Sequence, residues 1–176
     1  EEVELSYSLD EKFTEEIVKA CKTQDLQVVR IDENAARKFD VDLKLDHGVL
    51  VPMYYLHEAG VDTPIVPINM GLLAYEDLYK FGKIVQLVAR QLDYEVALIA
   101  SGDLSHRLKP GAPAGFNARG QKFDEALIEY LDDLAVEQII NFDDSLVEKA
   151  GECGLRPIIM MLGAIDGLDV EGGVLS

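Results

Sequence analysis

Residues 96–100, Val-Ala-Leu-Ile-Ala, form an unbroken apolar run that opens directly into Ser101-Gly102-Asp103-Leu104-Ser105-His106. A central parallel strand buried on both faces reads in this way, without polar alternation. The polar stretch that follows is then a loop at the strand's carboxyl end, where ligand and catalytic groups of open α/β sheets gather.

The rest of the chain alternates between two periodicities. Val3-Glu4-Leu5-Ser6-Tyr7 alternates as a strand, and Asp10 is placed to cap a helix with Phe13, Ile17, Ala20 and Cys21 on one face. Leu26 to Ile31 reads as the next strand, and Asp32 to Lys44 is polar and ends in Asp46-His47-Gly48. A helix over Val49 to Ala59, a short buried strand over Pro64 to Ile68 and a long helix over Tyr75 to Leu92 follow. Lys109 to Gly120, rich in Pro and Gly, is a loop. Helices are expected over Phe123 to Leu134, Val136 to Asn141, Ser145 to Ala150 and Arg156 to Ile165, with a last strand over Val170 to Leu175. This alternation predicts an α/β class with a central, mostly parallel or mixed sheet flanked by helices, in one domain over residues 1–176.

Charge limits what such a domain can bind. The 176 residues carry a formal net charge of −17, and a phosphate backbone or an anionic membrane surface would be repelled. No apolar run reaches the roughly 18–20 residues of a membrane span, and no secretory signal pattern is visible. The two cysteines, Cys21 and Cys153, lack a Cys-x-x-Cys spacing, so reduced thiols and a cytoplasmic location are expected. There is no Gly-x-Ser-x-Gly elbow for a hydrolase and no glycine-rich phosphate loop.

Three histidines are available for chemistry. His106 stands past the apolar run with Asp103 and Ser105 beside it, either of which could fix its tautomer for proton exchange near neutral pH. His47 precedes an apolar helix, where Asp46 as a cap and an incidental histidine read as well as an anion-facing loop. His57 falls within the helix beside Glu58 and reads as an exposed, helix-end residue. Glu152, in the turn Gly151-Glu152-Cys153-Gly154, is equally a metal ligand or a solvated carboxylate. Cys153 is a soft ligand or a small buried residue.

Asp46-His47-Gly48 with Val51-Pro52, then Pro64 to Ile68, then Gly102-Asp103-Leu104-Ser105-His106, resemble the class III extradiol ring-cleavage dioxygenases. More narrowly, together with Gly151-Glu152-Cys153-Gly154-x-Arg156-Pro157, they resemble the LigB-like proteins called AmmeMemoRadiSam system protein B, whose relatives include the Memo proteins. The resemblance implies Fe(II) or another divalent metal at the strand ends, a catechol-like aromatic substrate and cleavage of the ring beside its diol. His106 matches the family's acid/base histidine and His47 a second histidine that hydrogen-bonds the oxygen or ring-bound species. Glu152 matches the carboxylate metal ligand, with Cys153 aligned to a cysteine of the Memo-like relatives as the alternative.

One departure qualifies these expectations. The family's two metal-binding histidines would lie on strands before Glu1, so the chain is expected to supply at most one of three ligands. It is therefore expected to bind no metal firmly and to show little ring cleavage alone. An Ammecr-type domain is expected downstream, and self-association is expected through an open sheet edge. The alternative is a Memo-like, non-enzymatic binding or regulatory protein on the same fold.

Overall fold

The computed structural model describes residues 6–112 and 114–175. Among them are eight helices: α1 (Glu11–Thr23), α2 (Glu33–Phe39), α3 (His47–Glu58), α4 (Tyr75–Leu92), α5 (Ala118–Asp132), α6 (Val136–Ile140), α7 (Asp144–Ala150) and α8 (Leu155–Ala164). No membrane-crossing length of apolar helix occurs among the described residues. Aspartates start several helices. Asp10, Asp32, Asp46 and Asp143 each accept the N–H of the third helical residue, at 2.7–3.1 Å. Each such cap is worth about 1 kcal/mol, so part of the acidic excess is spent on helix initiation. Helix α2 lies inside the stretch from Asp32 to Lys44, characterised from the sequence only as polar. It buries only Ala36 and so has no apolar face to announce it.

Among the described residues the expected sheet is not formed. The described residues contain no strand, only one isolated parallel bridge between Leu9 and Ile65, in which Asp10 N–H donates to Ile65 O (3.0 Å) and Ile65 N–H to Ser8 O (2.9 Å). Residues 26–31, 96–100 and 170–175 run without a ladder, and the opening Val3–Tyr7 segment lies mostly outside the described residues. The apolar run thought to be doubly buried is open: Val96 is 46% and Ile99 51% exposed. Apolar patterning states what a segment could bury. A strand also needs a second backbone about 4.8 Å away offering N–H and C=O groups in register, and that partner is met only at Leu9 and Ile65.

The chain divides into two compact units, Glu1–Asn69 with Ile84–Ile99, and Met70–Lys83 with Ala100–Ser176. In the first, α1 buries Phe13, Ile17 and Cys21 at helical spacing, so Cys21 is core. Phe13 tilts against Tyr94 at 5.7 Å between ring centroids. Arg30 pairs with Glu11 and Glu15 on the outer side of the same helix. By contrast α3 buries only Met53.

In the second unit, α5, α6, α7 and α8 all contribute fully buried side chains. Phe123 and Leu127 are fully buried, and Phe142 stacks tilted against both Phe123 (5.1 Å) and Tyr130 (5.5 Å). The first turns of α4 cross α8 through two glycines. A side chain on Gly82 would run into Met160 O and Ala164 N, and one on Gly163 into Tyr79 O. Beside this crossing Lys83 bonds Asp166 at 2.6 Å. Burial, with the Asp166 carboxylate second, pushes the Tyr79 phenol up to about 12.

The crossing inverts an ordinary substitution. In an open helix, Gly→Ala stabilises by about 1 kcal/mol. Here Gly82→Ala places its methyl against main chain and is expected to destabilise by about 1–3 kcal/mol. Urea denaturation followed by circular dichroism measures it, and a raised midpoint would contradict the close crossing.

Candidate metal centre

The second unit builds its site from two short loops: residues 101–107 and the turn 151–154 between α7 and α8. They run in opposite directions and are stitched by backbone bonds. Cys153 N–H donates to Asp103 O (3.1 Å) and His106 N–H to Gly151 O (3.3 Å). Asp103 N–H donates in turn to Cys153 Sγ (3.1 Å). Two glycines allow the approach. A Cβ on Gly102 would lie 2.6 Å from Gly154 Cα and 2.7 Å from Cys153 O. Arg107 extends over Gly151, with its guanidinium 3.4 Å from Lys149 O and 3.5 Å from Glu148 O. A cation is favoured there, at the carbonyl end of α7.

This stitching brings three donors of different type together. Asp103 carboxylate, His106 Nε2 and Cys153 Sγ all lie within 4.8 Å of one another. His106 Nε2 is 3.4 Å from Asp103 Oδ2 and 3.7 Å from Cys153 Sγ. A tetrahedral metal with bonds of about 2.0–2.1 Å to N or O and about 2.3 Å to S separates its ligands by about 3.4–3.6 Å. The three side chains therefore fit a thiophilic or borderline divalent ion, and the thiolate disfavours magnesium or calcium. One nitrogen faces both partners, so the tautomer decides its use. With hydrogen on Nε2, His106 donates to Asp103; with hydrogen on Nδ1, it offers Nε2 as a lone pair.

The other sequence candidates sit elsewhere. Glu152 turns its carboxylate to the start of α8, where Oε2 accepts Leu155 N–H at 2.7 Å, while Cys153 next to it faces His106. His47 is the exposed first residue of α3 in the first unit, with Asp46 as cap, and His57 is exposed near the end of the same helix. The Ser105 hydroxyl donates to Ala150 O at 2.8 Å and accepts Arg107 N–H at 3.1 Å.

Asp124 is a residue the sequence reading passed over. It is buried on α5 and accepts Ser105 N–H at 2.8 Å. The signal was there: Gly120, Phe123, Asp124 and Leu127 share one buried helical face, and a carboxylate at such a position requires a partner. Burial raises its carboxyl above the ordinary range, the Ser105 N–H opposes this and the Glu125 charge adds to it.

Such a site, a carboxylate, an imidazole and a cysteine sulfur on paired loops, defines a candidate mononuclear metal centre. The family described as the catalytic LigB subunit of aromatic ring-opening dioxygenase matches residues 1–174, and the chain belongs to it. A protein of Clostridium acetobutylicum is 33% identical over 174 residues, covering 99% of this chain and 37% of that protein. A MEMO1 family protein of Methanococcus maripaludis is 28% identical over 169 residues, 95% of this chain and 53% of its own length. The 3,4-dihydroxyphenylacetate 2,3-dioxygenase of Escherichia coli is 32% identical over 143 residues, 76% of this chain and 51% of the enzyme. The chain thus spans between about a third and about half of the length of these relatives.

Two outcomes follow. Gly102→Ala forces the loops apart and is expected to weaken Zn(II) or Co(II) binding at least about tenfold, measured by calorimetric titration; unchanged affinity would show that the contact is not needed. Because the Asp124 carboxyl is raised in the fold, its contribution to stability is full at low pH and declines as pH rises through the carboxylate range. Asp124→Asn should lack that decline in urea midpoints taken across this range.

Proposed function

We propose that this chain carries part of the active centre of a metal-dependent, extradiol-type aromatic ring-opening dioxygenase, acting on a catechol-like diol with Fe(II) or another divalent ion. The observation that carries the reading is the convergence of Asp103, His106 and Cys153 at the stitched loops, in a chain of the LigB family. In this reading Cys153 and Asp103 hold the metal. A divalent ion there would supply Lewis acidity, lowering the pKa of a diol hydroxyl brought to it. His106 Nε2, 40% of whose side chain is exposed, takes that proton and returns it to the product. The Asp103 carboxylate beside Nε2 stabilises the imidazolium formed in between.

A second reading is favoured by one feature. Dioxygen-activating Fe(II) sites ordinarily use two histidines and a carboxylate, whereas the donor beside His106 here is a sulfur. That donor set, with the MEMO1 family relatives, supports a metal-holding binding or regulatory protein without ring cleavage.

Anaerobic Fe(II) loading followed by a catechol and 3,4-dihydroxyphenylacetate screen separates the two. For the enzyme, His106→Ala should lower turnover by about 10²–10⁴-fold while metal stays bound. Cys153→Ala should remove the thiolate-to-Co(II) absorption band together with most of the metal. Metal binding with no ring opening of any diol would favour the binding protein, and absence of bound metal in the wild type would refute both.

A further inference from the structure

Ser105 and Asp124 are the buried polar residues among those described, and they bond to each other. Ser105 precedes His106 directly and is held three ways. Its N–H donates to Asp124 Oδ1 (2.8 Å), its hydroxyl donates to Ala150 O (2.8 Å), and its hydroxyl oxygen accepts Arg107 N–H (3.1 Å). Both chain neighbours of His106 are thereby tied to the interior, while the imidazole stands out toward Cys153 and Asp103. Helix α5 comes close enough for this because position 120 is glycine; a Cβ there would collide with the Ser105 hydroxyl.

A carboxylate in this place is costly. Asp124 shares its helical face with Phe123 and Leu127, and an apolar residue would fill the same space without the desolvation cost. Its cost is offset by one bond, and that bond goes to the backbone beside His106.

We propose that Asp124 is a positioning residue: through Ser105 it fixes the loop that carries Asp103 and His106 opposite Cys153. The proposal rests on the reading that Asp103 and Cys153 hold the metal beside His106. It assigns to α5 the part that outer carboxylates play around metal sites, here exerted through the loop backbone.

The test uses the full chain with Co(II) as probe in five proteins: wild type, Asp124→Ala, Asp124→Asn, Asp124→Leu and Leu127→Ala. Affinity, the thiolate-to-Co(II) band and thermal unfolding are measured on each. Asp124→Ala should weaken Co(II) about 10–100-fold and reduce the band, whereas Asp124→Asn, whose amide oxygen still accepts Ser105 N–H, should stay within about threefold of wild type. Leu127→Ala should lose stability yet keep its affinity, which separates positioning from damage to the core. Should Asp124→Ala fail to fold, Asp124→Leu, which fills the space without an acceptor for Ser105 N–H, carries the test, with the same loss of affinity. Wild-type affinity in Asp124→Ala or in Asp124→Leu, or equal loss in Asp124→Asn and Asp124→Ala, would overturn the proposal. If wild type binds no Co(II), the metal reading fails separately. Amide hydrogen exchange at His106 and Arg107 then decides: faster exchange in Asp124→Ala but not in Asp124→Asn supports the tie, and equal rates refute it.

Discussion

Two loops without regular secondary structure carry the candidate metal centre, and what holds the loops is their exchange of main-chain hydrogen bonds. Asp103 with Cys153, and His106 with Gly151, satisfy donors and acceptors that neither loop can satisfy alone. The pairing also determines which side chains share the space outside it. The elements behind contribute anchors: the end of α7 receives Arg107, and α5 receives Ser105. Separate the loops and the three donors part, because each reaches the common point from its own main-chain position.

The second dependence is steric. Helices α4 and α8 meet at Gly82 and Gly163, and the loops meet at Gly102 and Gly154. In both places main chain lies against main chain, so the contact is set by backbone shape and not by side-chain repacking. Close packing of this kind gives little room for adjustment.

Much of the helical content was legible. Asp10 and Asp46 cap where their sequence positions suggested, and α4 spans the Tyr75 to Leu92 pattern. Both signals are local, a short side chain reaching its own third residue or an apolar stripe recurring each turn. The sheet was read wrongly because a strand is defined by another segment's backbone, and Val96 to Ala100 shows only its own side chains. The site was legible in part. His106 and Cys153 drew notice as residue types in telling turns, but that they face each other across two loops is a tertiary fact. Asp124 escapes a sequence reading although its place in the α5 pattern is visible, since among 33 acidic residues an exposed carboxylate is the default expectation.

The glycine facing at the loops bears on how this site can change over generations. Where two side chains clash, a smaller neighbour can restore the fit, and paired changes let a lineage drift. At Gly102 the obstacle is the Cα of Gly154 and the carbonyl of Cys153, atoms that every amino acid carries. No second-site suppressor can shrink them. At this point of the loop, reversion to glycine is the direct genetic remedy.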